Sequence, residues 1–170
     1  KYDGKTFSHY NVIRNSKKSL SNNWINDILR DSEGRLWIAS RGGVDLFLPE
    51  TDGFERLSTR NDFPVNTEFK HIIELPNGNL WFVTSNQGIY SFNPRQNTIQ
   101  HISSESTFEL PSDNVGDAVV SRNLVYVSIE KLGIYHYNLS TNVFSPLTYI
   151  NKQMPDNSIA KLYVSKNEDI

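Results

Sequence analysis

Apolar positions in this chain fall in short, strand-length runs separated by polar clusters, and the arrangement repeats. From Leu20 to Leu57 the order is a run from Trp24 to Arg30, a turn Asp31-Ser32-Glu33-Gly34, and a second run from Arg35 to Ser40. The pair Gly42-Gly43 breaks the chain again, Val44 to Leu48 follows, and Phe54 to Leu57 closes the unit. Runs this short, bounded by Gly, Asp, Asn and Ser, read as strands rather than helices, so the unit predicts four antiparallel strands in one sheet. Asp31 can accept hydrogen bonds from the amides ahead of it, and Gly34 can take the positive φ that a bulged hairpin needs.

A second copy runs from Phe63 to Ile102 with LPNGNLWFVTSNQGIYSFNP, and a third from Leu110 to Leu147 with RNLVYVSIEKLGIYHYN. Trp37, Trp81 and Tyr126 recur about every 45 residues, as do Gly43, Gly88 and Gly133, the period of propeller blades rather than of helical solenoids. The third copy has drifted: it carries Tyr126 for Trp and a shortened first turn, Ser121-Arg122-Asn123, where Asn123 substitutes for Gly because Asn tolerates the left-handed conformation. A fourth opening, MPDNSIAKLYVSKNEDI, aligns Met154 with Leu20 and Ile159 with Ile25. Lys1 to Tyr10 reads as the outer strand of a preceding blade, turning at Gly4.

The expected fold is therefore all-β: an incomplete β-propeller of about three four-stranded antiparallel blades with flanking strands of two partial blades. The divisions are 1–19 for the leading strand and loop, 20–62, 63–109 and 110–153 for the blades, and 154–170 for the start of the next. An open propeller exposes sheet faces and edges, so either this is a piece of a longer chain or copies associate. The ends fall inside blades, which points to the piece.

The inner strands of a propeller are buried on both faces, which accounts for the apolar pairs Ile28-Leu29, Ile72-Ile73 and Val119-Val120 in place of strict alternation. Trp37, Trp81 and Tyr126 are expected between adjacent sheets, as core. Composition agrees with a β-rich globular unit, at 37% hydrophobic and 12% aromatic residues. A net charge of -2 with scattered basic residues provides no footprint for nucleic acid or an anionic membrane. The absence of cysteine excludes disulfides, thiolate metal sites and a Cys nucleophile.

The pattern L-S-N-N-x-I-x-x-I-L-x-D-x-x-G-x-L-W-I-A-S-x-x-G-V from Leu20 to Val44 resembles the two-component regulator propeller repeat of bacterial hybrid sensor kinases. The second copy matches through Gly78, Leu80, Trp81, Thr84 and Gly88, and the third in part. The resemblance implies a segment of a large propeller in the sensor region of an inner-membrane protein, on the periplasmic or extracytoplasmic side, with a histidine kinase module elsewhere in the chain. It also implies a ligand of carbohydrate origin, further blades in the same chain, a possible homodimer, and control of transcription of utilisation genes.

In an up-and-down blade, the loop entering the first strand and the loop joining the second and third emerge on one face. That face gathers Asn22, Asn23, Trp24 and Arg41 from the first blade, Asn66, Thr67, Asn86 and Gln87 from the second, and Asp113, Asn114, Glu130 and Lys131 from the third. Amides and both charges suit a hydroxyl-rich or uronic-acid-bearing sugar, with Arg41 or Lys131 for a carboxylate or sulfate. Asn ahead of a strand often closes its loop with its own side chain, and that is the favoured reading of Asn22, Asn66 and Asn114. Trp24 is placed either to stack on a sugar ring or to pack on the neighbouring blade.

Catalytic, metal and cofactor sites are not expected. His9, His71, His101 and His136 lie on different strands of different blades, and no HExxH, GxSxG, P-loop or dinucleotide motif occurs. Asp31, Glu33, Asp52 and Asp62 read as solvated turn formers, and Asn138-Leu139-Ser140 as an accidental glycosylation pattern. Asp113 with Glu130 is the one carboxylate pair that a blade could bring to a single face. Three readings follow: a sensor propeller, a propeller lyase or hydrolase using Asp113 and Glu130, and a protein-docking propeller.

Overall fold

The computed structural model describes residues 2, 4–107, 109–159 and 161–165. It contains three four-stranded antiparallel sheets, each a meander in chain order, and they do not close into a ring. The first holds β1 (Ile25–Arg30), β2 (Leu36–Ser40), β3 (Gly43–Leu48) and β4 (Gly53–Arg56). The second holds β5 (Phe69–Glu74), β6 (Leu80–Thr84), β7 (Ile89–Asn93) and β8 (Thr98–Ile102). The third holds β9 (Val115–Ser121), β10 (Leu124–Ile129), β11 (Gly133–Asn138) and β12 (Val143–Pro146), followed by one helical turn, Thr148–Asn151.

The turn chemistry works as the residues suggest, with one correction. Gly34 and Gly78 adopt φ +81° and +80° at the hairpins between first and second strands. Asp31, expected as a solvated turn former, is buried at 4% exposure. Its carboxylate accepts from the backbone N–H groups of Glu33 and Arg35, from Arg35 Nε and from Trp37 Nε1. In the third sheet Arg122, not Asn123, takes the positive φ, at 55°.

Two apolar layers lie between successive sheets. Trp37, Leu80, Phe82, Tyr90 and Phe92 join the first sheet to the second; Trp81, Val83, Val125, Val127 and Tyr137 join the second to the third. Trp37 and Trp81 are 2% and 1% exposed, each burial worth about 4–6 kcal/mol of gross transfer free energy. Tyr126 is only half-buried, because it lies on the face of the third sheet turned away from the second. The apolar pairs divide the same way. Ile72 and Ile73 of the middle sheet are both buried, whereas Ile28 is 58% exposed on the outward face of the first sheet.

At the leading end, Tyr2 and Phe7 form one antiparallel bridge with stacked rings. Asp3 of the expected strand end lies outside the described residues. Tyr10 packs edge-on against Phe47 and Phe54, covering part of the first sheet's outward face. At the other end, residues 161–165 are not a strand, yet the Leu162 N–H donates to Asp117 Oδ2 at 2.8 Å and Leu162 is buried. Ala160 and residues 166–170 of the expected fourth opening lie outside the described residues. Among the described residues no helix is long and apolar enough to cross a membrane.

Candidate functional site

Each inner strand carries an irregularity near its start. The register slips between Ile25 and Asp27, between Phe69 and His71, and between Val115 and Asp117, leaving Asn26, Lys70 and Gly116 as the bulged residues. A bulge bends the strand and re-aims the side chains beside it, and it does so here at one level in all three blades. Gly116 is obligatory at its place, since a Cβ there would lie 2.7 Å from Ser128 Oγ and 2.8 Å from the Ile159 carbonyl.

Above the bulges lies the face on which the entry loops and the second-to-third-strand loops meet. One backbone bond recurs there in every blade: Arg41 N–H to Trp24 O, Ser85 N–H to Glu68 O, and Glu130 N–H to Asn114 O, at 3.2, 3.1 and 3.0 Å. At the junction of the first two blades, Glu68 accepts from Asn26 Nδ2, Arg41 Nε and Ser85 Oγ. Burial works to raise the Glu68 carboxyl, and these three donors outweigh it, holding it below the ordinary carboxylate range. The Arg41 guanidinium lies 4.0 Å from the centre of the Trp24 ring, and Trp24 remains 58% exposed. Trp24 therefore packs under an arginine rather than on the neighbouring blade.

At the junction of the second and third blades the same face opens into a cleft of about 390 Å³. Lys70, Ser85, Asn114, Glu130 and Ser158 supply its polar groups, and Val115, Gly116 and Ile159 also line it. Among the described residues neither Lys70 nor Glu130 makes an ion pair.

The residues expected on this face separate into two groups. Asn22 accepts from the Trp24 N–H and Asn23 from the Val12 N–H, so both close loops. Gln87 accepts from Thr67, and both Asp113 oxygens accept from Ser104. Asp113 is thereby engaged away from Glu130. Trp24, Arg41, Asn66, Asn86, Asn114, Glu130 and Lys131 are exposed, with Asn66 and Lys131 at positive φ. Asn138 accepts from the Ser140 and Thr141 N–H groups as a turn former.

Sequence reasoning missed Asn26, Glu68, Lys70, Ser85 and Ser158, which sit at strand starts and loop ends rather than in the loop centres. It also missed a row of charges along the inner strands. Asp27, His71 and Asp117 occupy equivalent places, directly after the three bulges. His71 Nδ1 faces Asp27 Oδ2, and His71 Nε2 lies 3.3 Å from Asp117 Oδ1. Lys161 Nζ continues the row 3.3 Å from Asp117 Oδ1. Each carboxylate also reaches the next blade's backbone: Ile72 N–H donates to Asp27 and Leu162 N–H to Asp117, at 2.9 and 2.8 Å. Burial raises the Asp27 carboxyl, while the His71 hydrogen bond and charge and the Ile72 N–H more than offset it. The signal for this row was present: a charged or titratable residue two places after the first apolar residue of each inner strand, Ile25, Phe69 and Val115. Among the described residues no cluster of His, Cys, Asp or Glu is arranged to hold a metal ion.

Residues 19–42 match the family model described as two component regulator propeller. No curated protein matches the sequence. Among solved structures the chain is similar to the extracellular domain of BT3049 from B. thetaiotaomicron, described as a hybrid two component system. That likeness has a TM-score of 0.75 at 18% identity, over 94% of this chain and 22% of the other. It is similar as well to the extracellular domain of BT4673 from the same organism, with a TM-score of 0.70 at 16% identity, over 89% of this chain and 20% of that one. At these identities the likeness is one of fold: three sheets of a propeller. The chain spans about a fifth of the length of the structures it matches.

Proposed function

We propose, on the premise that this chain carries the two component regulator propeller repeat at residues 19–42, that it is a ligand-sensing propeller segment on the extracytoplasmic side of a bacterial hybrid two-component sensor. The ligand is a carbohydrate fragment, the segment is non-catalytic, and a histidine kinase module lies elsewhere in the protein. The whole sensor would add further blades and act as a homodimer controlling transcription of utilisation genes.

The observation that carries this reading is the pairing, on one face, of the polar cleft of Lys70, Ser85, Asn114, Glu130 and Ser158 with the exposed Trp24–Arg41 stack. Hydroxyl and amide groups exchange hydrogen bonds with sugar hydroxyls, a lysine meets a carboxylate or sulfate, and an exposed indole offers an apolar ring face. The carboxylate-binding role expected of Arg41 passes to Lys70, since Arg41 is held by Glu68. Signalling then needs the ligand to bind one arrangement of paired propellers better than the other.

The test is calorimetry on the whole sensor region containing this chain, against a panel of neutral and uronic-acid-bearing oligosaccharides. Binding of at least one member, weakened about tenfold or more by Lys70→Ala or Trp24→Ala, is the expected result. Turnover of a panel member, or binding indifferent to both substitutions, would contradict the reading.

A further inference from the structure

His71 stands between two carboxylates contributed by different blades. Asp27 faces one ring nitrogen from β1, Asp117 faces the other from β9, and Lys161 approaches Asp117 from residues 161–165. On β5 itself, Glu74 accepts from Ser32 and Lys70 lines the polar cleft, and neither forms an ion pair with the ring among the described residues. The His71 side chain is 19% exposed and that of Asp117 only 2%.

A neutral imidazole has one N–H and one bare nitrogen, and ionised carboxylates only accept. Both contacts are favourable ion pairs only when the ring carries two protons. In that state two carboxylates, one imidazolium and one ammonium sum to zero charge. When one ring proton passes to water or a buffer base, a nitrogen lone pair is left facing a carboxylate lone pair and the row carries a net negative charge.

We propose that His71 is a proton-dependent clasp joining three consecutive blades, closed as the imidazolium and loosened when one ring proton leaves. Its position gives the clasp leverage. Lys70 and Gly116, both lining the cleft, directly precede His71 and Asp117 on their strands. The clasp itself does not depend on what the cleft binds.

The test reads the ring nitrogens of the 15N-labelled chain. At about pH 6, His71 is expected to show two protonated ring nitrogens, as its place between two carboxylates requires. Between about pH 6 and 9 the Tm is expected to fall by roughly 2–4 °C more than in His71→Gln, which has no proton to lose. Should that variant not fold, Asp27→Asn spares the buried Asp117, and His71 is expected to lose its second ring proton at a lower pH than in the parent chain. A single protonated nitrogen on His71 at about pH 6, equal Tm–pH slopes in the parent and His71→Gln, or an Asp27→Asn ring that titrates like the parent overturns the clasp.

Discussion

Asp31 Oδ2 accepts the indole N–H of Trp37 at 2.8 Å, tying the first hairpin turn to the layer between the first two blades. The same carboxylate satisfies two backbone amides and the Arg35 guanidinium while almost wholly buried. Asp31→Ala strands the indole N–H and the turn amides together, and is expected to cost about 2–4 kcal/mol. Urea unfolding of the two chains measures it.

Asp27, Asp31 and Glu68 are all held below the ordinary carboxylate range of about 4, in each case because hydrogen-bond donors outweigh burial. Groups with lowered values in the fold stabilise it above their unfolded values, and that contribution is lost as pH falls through their folded values. Buried Asp45 has the opposite sign, since burial raises its carboxyl. The Tm is therefore expected to drop steeply below about pH 4, with a shallower acid limb in Asp31→Asn, measured by calorimetry.

Two hairpin glycines separate backbone strain from collision. Gly78 has φ +80° and open space around it, so Gly78→Ala is expected to cost about 1 kcal/mol. Gly88 has φ +70°, but a Cβ there would collide with the Ile102 carbonyl oxygen and press on Leu110. Gly88→Ala is expected to cost about 2–4 kcal/mol, and the two variants compared by denaturation show the difference.

The stack of Arg41 on Trp24 is half-exposed, and its ion pair with Glu68 lies at the surface. Arg41→Ala is expected to change stability by less than about 1 kcal/mol. A larger loss of oligosaccharide binding at unchanged Tm would place the stack in the site rather than in the scaffold.

The repeat was legible because blade geometry is written in turn residues and strand-length apolar runs: Gly43 recurs as Gly88 and Gly133, Trp37 as Trp81 and Tyr126, and Gly34 as Gly78, and the sheets follow. What the sequence hid depends on neighbours. Ile28 looks as buried as Ile72, yet only the latter has a sheet on both sides. Asp31 looks like any polar turn residue until Trp37 folds back onto it. Asn22, Asn23 and Asp113 have the right chemistry for a ligand, but backbone amides and Ser104 use it first. Lys70 was indistinguishable from strand filler because the bulge that re-aims it belongs to the pairing of β5 with β6, not to any local motif.

The most direct test of the sensing face is a map of amide chemical-shift changes when the oligosaccharide panel is titrated into the labelled sensor region. Changes are expected to gather at Trp24, Arg41, Lys70, Ser85, Asn114 and Glu130. Changes confined to the opposite face, around Arg60, Arg95 and Asn97, or none at all, would contradict the account.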